Sequence, residues 1–284
     1  MIINCQKIAD EIIFEAKTKV EELQKRGIYP RLAIVMVGDD DASKIYVRNK
    51  SKACQKAGIG TQEVILNENI SEHDLIKNIE KLNRDNSVTG ILVQLPLPKH
   101  ISENKICKII SPAKDVDVFN PQNFGDFIMG NNDLTPCTAY GIIKILEHEQ
   151  IKLGGKRCVV IGRSNIVGKP IASLLLKNDA TVTVCHSKTK DLESFCKVAD
   201  IIISATGKPK LVKANMVKPG AVVVDVGINR DGNGKLCGDV DFENVEPLCS
   251  YITPVPGGVG PVTVAALVHN TVKTAYFGLF KNNN

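Results

Sequence analysis

No two cysteines in this 284-residue chain are spaced as C-x-x-C, although nine of them are scattered from Cys5 to Cys249. That absence, with the odd count, argues against a disulfide framework and a structural zinc site, and it points to a reducing, cytoplasmic setting. No His or Cys pair stands at metal-ligand spacing, so no metal is expected. The net charge of +5 comes without a polybasic cluster, which argues against a nucleic-acid partner and leaves room for a small anionic ligand. No apolar run is fit for a membrane: the stretch 262–280 is broken by His269, Asn270 and Lys273, which are expected to share one face of a soluble helix. The N-terminal MIINCQKIADEIIFEAK is no signal peptide, because Asp10 and Glu11 fall inside its apolar pattern, and it reads as an amphipathic helix. Apart from the trailing Asn282, Asn283 and Asn284, where disorder is expected, no segment is compositionally biased.

What is present is an ordinary globular composition, 43% hydrophobic and 24% charged, in a chain long enough for two domains. Apolar positions recur at helical spacing over 4–25, followed by the continuous run RLAIVMVG (31–38), a buried strand. The alternation continues with a helix near 42–57, a strand near 60–66, a helix near 72–84 capped by Ser71, and the strand TGILVQLPLP. Strands separated by helices imply a mostly parallel sheet covered on both faces. The polar stretch NPQNFGDFIMGNNDL (120–134) is the candidate boundary, and a bridging helix near 138–150 follows. The second unit reads as strand 157–162, helix 168–178, strand 180–185, helix 191–197, and strands 200–204 and 221–226. The fold class expected is α/β: two three-layer α/β domains, the second a Rossmann-type doubly wound parallel sheet. The first domain spans 1–136 and is completed by a C-terminal helix, 262–284; the second spans 137–261.

The densest chemical signal is CVVIGRSNIVGKPIASLLL (158–176), where an apolar strand ends in Gly162 and a helix opens near Gly168 and Pro170. Glycine lets the backbone approach a phosphate, and the unpaired amides of the new helix face the anion. The spacing departs from G-x-G-x-x-G, with Ser164 at the middle glycine's place. It is not a Walker A loop, since five residues separate the glycines and Pro170 replaces the magnesium-binding Ser or Thr. NAD-specific sheets end their second strand in an acid, but TVTVC runs into His186, Ser187 and Lys188. With Arg163 in the turn, two cations and a hydroxyl suit a 2′-phosphate, so NADP is favoured over NAD. His186 and Asp225 are read as packing or capping groups.

Tyr46 and Lys50 lie four apart on a helix and project from one face, where a ring can stack on a flat heterocycle and a partly desolvated lysine can shuttle protons. Gln94 stands at the carboxyl end of a buried strand, where open α/β folds place ligands. In AKDVDVF, Asp115 and Asp117 read as turn or capping carboxylates, or as one carboxylate gripping a planar amidine-like edge.

The blocks YVRNKSKACQKAGI, VQLPLP, KDVDVFNPQNFG, TPCTAYG, GRSNIVGKP, GAVVVDVGIN and YITPVPGGVGPVT occur in this order over nearly the whole chain. Together they closely resemble the bifunctional methylenetetrahydrofolate dehydrogenase/cyclohydrolase family, the FolD family. The resemblance implies NADP-dependent oxidation of 5,10-methylenetetrahydrofolate, hydrolysis of the methenyl product to 10-formyltetrahydrofolate, and a homodimer. It implies that Tyr46 stacks on the pterin and aminobenzoyl rings, that Lys50 is the essential lysine of hydrolysis held by Gln94, and that Asp117 grips the pterin edge. Leu95 joins Gln94 on the substrate side. Gly162, Arg163 and Ser164 fall on the cofactor phosphates, Ser187 near the 2′-phosphate and Ile228 by the dinucleotide. Residues 254–261, with Pro256, Gly257 and Gly258, match the loop between nicotinamide and folate. One departure is Val118, where the family usually has glycine, and it bears on how Asp117 is held. A shikimate-type NADP dehydrogenase and a non-catalytic NADP-binding module are the alternatives.

Overall fold

Residues 31–37 form a strand because, after the exposed Arg31, they are an unbroken apolar run that can be buried on both faces. The computed structural model describes residues 1–131 and 133–281; the terminal asparagines, 282–284, expected to be disordered, lie outside the described residues. Two compact units are present: 10–137 together with the chain from Val264 onward, and Met1–Ala9 together with Thr138–Thr263.

The first unit uses α1 (Cys5–Lys25, from Asp10), β1 (Arg31–Val37), α2 (Asp41–Lys56), β2 (Gly60–Leu66), α3 (Glu72–Arg84), β3 (Gly90–Val93), α4 (Glu103–Ile109) and α5 (Pro121–Met129). Its sheet is parallel, in the order β2-β1-β3. Alternate residues of β1 serve opposite layers. Ala33, Val35 and Val37 pack with Leu75, Ile79 and Leu82 of α3 and Ile106 of α4, while Leu32, Ile34 and Met36 are at most 2% exposed on the other face. Each such aliphatic side chain contributes about 1.5–3 kcal/mol when fully buried.

The stretch 120–134, expected to be a boundary, contains α5. Asn120 caps it by accepting from the Gln122 amide, Pro121 occupies its first turn, and Gly130 closes it at φ 78°. Polarity misled here because the helix buries polar Asn123 beside Phe127 while apolar Ile128 and Met129 are exposed.

The second unit holds α6 (Cys137–His148, from Thr138), β4 (Arg157–Ile161), α7 (Gly168–Lys177), β5 (Thr181–Cys185), α8 (Leu192–Lys197), β6 (Ile201–Ser204), β7 (Val222–Asp225), a small hairpin of β8 (Asn229–Arg230) and β9 (Leu236–Cys237), α9 (Phe242–Val245) and β10 (Tyr251–Ile252). Its parallel sheet runs β10-β7-β6-β4-β5. Numbered within the unit, this is the doubly wound order 2-1-3-4-5, whose direction of winding reverses between β4 and β6. The first residues extend the same sheet: Ile2 bridges Ile252 in parallel, and the Ile3 amide donates to Ile252 O at 2.9 Å. Those backbone bonds explain why residues 1–9 cluster here although their sequence precedes the first unit.

The last helix, α10 (Val259–Lys281), begins three residues before the expected 262. From Val264 it belongs with the first unit, where Tyr276 Oη donates to Lys19 O at 3.3 Å and to Glu22 Oε2 at 3.0 Å. No helix among the described residues is long and apolar enough to cross a membrane.

Candidate functional site

In the first unit the candidate groups gather around Lys50. Asp40 caps α2 by accepting from the Ser43 amide at 2.8 Å, which fixes the register that puts Tyr46, Lys50 and Cys54 on successive turns of one face. Gln94 continues the β3 ladder, its amide donating to Val35 O at 2.8 Å. Its side-chain Nε2 donates to Leu95 O at 2.6 Å, which turns Oε1 toward Lys50, and Lys50 Nζ donates to that oxygen at 2.9 Å. The amide is therefore oriented by Leu95 rather than free to flip.

Burial pulls the Lys50 ammonium below its ordinary pKa, against the opposing charge of Asp117. Burial also raises the Tyr46 phenol and pushes the Cys54 thiol, one turn beyond Lys50, up to about 12. Cys54 is thus a neutral, apolar neighbour at physiological pH.

The loop carrying Asp117 is locked from three sides. Asp115, 1% exposed, accepts from the amides of Phe119 (3.2 Å) and Asn120 (2.8 Å) and from Asn123 Nδ2 (3.1 Å). Burial lifts its carboxyl to about 6 despite those donors. Of the two readings of Asp115, the capping one describes these bonds. Val116 sits over Gly90, where an added Cβ would lie 2.4 Å from Val116 Cγ1. On the third side, Asn270 Nδ2 donates to Val116 O and to Thr135 O, each at 2.8 Å.

Asn270 has a role in the site that the sequence pattern did not reveal. Expected to share one face of a soluble helix with His269 and Lys273, it is 1% exposed and braces the Asp117 loop. An amide inside an otherwise apolar helix was the available signal, because a buried amide must find partners. Cys137, 2% exposed, adds a weak bond from Sγ to Val116 O at 3.5 Å, and burial together with the nearby Asp117 charge holds its thiol well above the ordinary range. Val118 lies at φ 61°, the left-handed region, fully buried. The backbone thus keeps the conformation natural to glycine while carrying a β-branched residue.

The second unit gathers the other candidates at the carboxyl ends of its strands. Gly162 follows β4 at φ 125°, and a Cβ there would lie 2.3 Å from Ala205 O, the first carbonyl beyond β6. Gly168 packs as tightly, its Cβ position being 2.3 Å from Gly162 O. These two glycines bring three main-chain segments together at the switch point between β4 and β6, where open α/β sheets bind ligands.

The helix amides are not all unpaired, as had been expected. Ser164 Oγ accepts from the amides of Val167 (3.1 Å) and Gly168 (3.3 Å), and Ser164 O accepts from that of Lys169 (3.0 Å). Ser164 therefore pairs two amides of the turn that enters α7, whose N-cap position is Val167, and keeps its own hydroxyl proton to donate. Arg163 and Ser187 are exposed, as is Ile228, at 51%. Beyond β5, the Lys188 amide donates to His186 Nδ1 at 3.2 Å, a turn-capping role. Pro256 and Gly257 are exposed on the segment between β10 and α10, and Gly258 is buried where a Cβ would meet Pro254 O at 2.2 Å.

A lysine–amide pair in one α/β unit and a glycine-built crevice on a doubly wound sheet in the other define a two-unit, dinucleotide-type α/β protein. The chain belongs to the tetrahydrofolate dehydrogenase/cyclohydrolase family: the profile of its catalytic domain matches residues 3–117 and that of its NAD(P)-binding domain matches 136–277. It is 52% identical over 274 residues to the bifunctional protein FolD of Acetivibrio thermocellus, covering 96% of each chain. It superposes on the FolD methylenetetrahydrofolate dehydrogenase/cyclohydrolase of Campylobacter jejuni with a TM-score of 0.95 at 49% identity, over 98% of this chain and 99% of that one. A Trypanosoma brucei FolD solved with NADP cofactor and inhibitor matches at TM-score 0.94 and 37% identity, over 98% of both. Shikimate 5-dehydrogenase from Listeria monocytogenes shares 14% identity at TM-score 0.52, over 89% of this chain and 96% of that one, a likeness of fold alone.

Proposed function

We propose that this chain is a bifunctional one-carbon folate enzyme, oxidising 5,10-methylenetetrahydrofolate to the methenyl form with NADP and hydrolysing that product to 10-formyltetrahydrofolate. The observation that carries the reading is the partly buried Lys50 ammonium bonded at 2.9 Å to an oriented Gln94 amide, with its pKa drawn down by desolvation. A lysine so placed is neutral often enough to accept a proton from attacking water and then return it as the ring C–N bond opens. Tyr46 stacks on the pterin and aminobenzoyl rings, and Asp117 accepts paired N–H bonds from the pterin edge. The close approach of backbone at Gly162 and Gly168 and the free proton of Ser164 fit the diphosphate of a dinucleotide. When bound, that cofactor accepts the hydride; the chain's part is to hold it.

NADP rather than NAD is the reading for the second strand's end, where His186, Ser187 and Lys188 replace an acid and Arg163 adds a cation. Ile228 offers an exposed apolar side chain to the dinucleotide. All nine cysteines are free thiols, which fits a reducing cytoplasm. The homodimer is supported by the open edge of β5, where Val184 is 39% exposed, and sedimentation at two concentrations tests it.

Purified protein should reduce NADP when given methylenetetrahydrofolate and should convert methenyl to formyl folate. Absence of both activities removes the proposal. Binding of NADPH with no folate turnover would favour the non-catalytic module, and turnover of a hydroxy acid in place of a folate would favour the shikimate-type enzyme.

A further inference from the structure

Two carboxylates buried in the second unit are used by none of the steps above. Asp239 is 0% exposed and Asp225 is 2% exposed. Asp239 collects four donors: Oδ2 accepts from Ser204 Oγ (3.1 Å) and the Thr206 amide (2.6 Å), and Oδ1 accepts from the Lys208 amide (3.1 Å) and Asn229 Nδ2 (2.9 Å). Asp225 in turn accepts from the amides of Gly227 (2.9 Å), Asp239 (3.0 Å) and Val240 (2.9 Å). Burial raises the Asp225 carboxyl to about 6.

The arrangement is reciprocal and sterically exacting. A Cβ on Gly227 would lie 2.1 Å from Asp239 Oδ1, and one on Gly238 would lie 1.8 Å from Asp225 Oδ2. Each carboxylate thus occupies the space left by a glycine neighbouring the other, and no side chain fits at either glycine. The segment bearing them is pinned further by the Val212–Val240 bridge and by the Lys210 amide donating to Gly238 O at 3.2 Å.

The donors that Asp239 collects come from the last residue of β6, from the loop leaving it, whose Ala205 carbonyl abuts Gly162, and from Asn229, which follows Ile228. Both segments border the crevice assigned to the dinucleotide. We infer that Asp239 is a positioning residue for dinucleotide binding, its carboxylate setting the 205–208 loop and the 227–229 segment relative to each other, with Asp225 holding Asp239 in place. The inference rests on the dinucleotide reading above and adds to it a group that does not itself touch the ligand. A carboxylate suits this place because all four of its partners are donors; an amide would turn its own N–H₂ toward two of them, one being a backbone amide, of Thr206 or of Lys208, that cannot accept.

The test is Asp239→Asn, with NADPH binding read by fluorescence and both folate activities measured in the same preparation. NADPH affinity and KM for NADP should each worsen by about tenfold, the cost of one mispaired charge-assisted bond, with dehydrogenase kcat at saturating NADP held. Cyclohydrolase turnover, which draws on Lys50 and Gln94 of the first unit, reports the folded fraction and should change less than twofold. A folded variant with unaltered NADPH affinity overturns the inference, as does a parallel fall in both activities. Should Asp239→Asn fail to fold, Asn229→Ala removes one donor alone and should weaken NADPH two- to threefold; no change there overturns it equally. Wild-type protein that binds no NADPH while hydrolysing methenyl folate would instead fail the dinucleotide reading, and this inference with it.

Discussion

Around Lys50 the candidate chemistry sits on side chains that lean on one another, whereas around Gly162 it sits on main chain that only glycine permits. Lys50 is aimed by Gln94, Gln94 by Leu95 O, and the Asp117 loop by Asn270 and Asp115. In the second unit the crevice is shaped by Gly162 and Gly168, whose missing Cβ atoms would each lie 2.3 Å from a carbonyl oxygen. The contrast shows two ways of preorganising a site. A side-chain relay can be altered one charge at a time, but a glycine contact is present or absent.

The sharpest test pairs one substitution from each region. Gly162→Ala forces a Cβ against the Ala205 carbonyl at a φ of 125°, so dinucleotide affinity should fall beyond detection while cyclohydrolase activity persists. Lys50→Met should lower cyclohydrolase turnover by on the order of 100-fold or more and leave NADPH affinity unchanged. Calorimetric titration with NADPH and the methenyl absorbance assay read the two outcomes. Were either substitution to remove both functions, the division of labour between the regions would be wrong.

A milder change stays within the second region. Arg163→Ala combined with Ser187→Ala removes a cation and a hydroxyl from exposed positions, and NADP affinity should fall about tenfold with NAD affinity little changed. Equal losses for NADP and NAD would take the 2′-phosphate away from these residues.

The same contrast governs what was legible in the sequence. Gly162, the strand before it and the helix after it are contiguous, so the crevice and the doubly wound sheet were readable from local pattern. The bond between Lys50 and Gln94 joins residues 44 apart, and no periodicity encodes it; it was visible only through the family resemblance. The bracing role of Asn270 was not readable because helical periodicity alone cannot tell a solvated amide from a buried one with two carbonyl partners. Asp239 carries no local signal, since its donors come from segments up to 35 residues away. In 120–134 local polarity won over weak apolar spacing, and α5 was missed although Asn120 and Pro121 carry its start signal.

Asp117 gives a way to sharpen the side-chain half of the comparison. If neutral Lys50 accepts the proton from water, cyclohydrolase rate rises with pH through the Lys50 pKa. Burial lowers that pKa and the Asp117 charge raises it, so Asp117→Asn removes only the raising influence. The ascending limb of kcat against pH should therefore move to lower pH. A limb that stays in place, or moves upward, would mean that Lys50 is not the titrating group or that Asp117 is not the charge it feels.

The smallest expected effect concerns the one place where the first region behaves like the second. Val118 is fully buried at φ 61°, and Val116, two residues earlier and equally buried, is not in that conformation. Replacing either by glycine loses about 1.5–3 kcal/mol of burial and adds unfolded-chain entropy, terms that nearly cancel between the two. Only Val118→Gly also relieves left-handed strain, of about 1–2 kcal/mol. Val118→Gly should thus cost about 1–2 kcal/mol less than Val116→Gly in urea unfolding, and it should leave cyclohydrolase activity within twofold because the backbone presenting Asp117 is already in glycine's conformation. Equal costs would mean that the loop relaxes around Val118 without strain, and that the side-chain braces from Asn270 and Asp115, rather than local φ, decide where Asp117 stands.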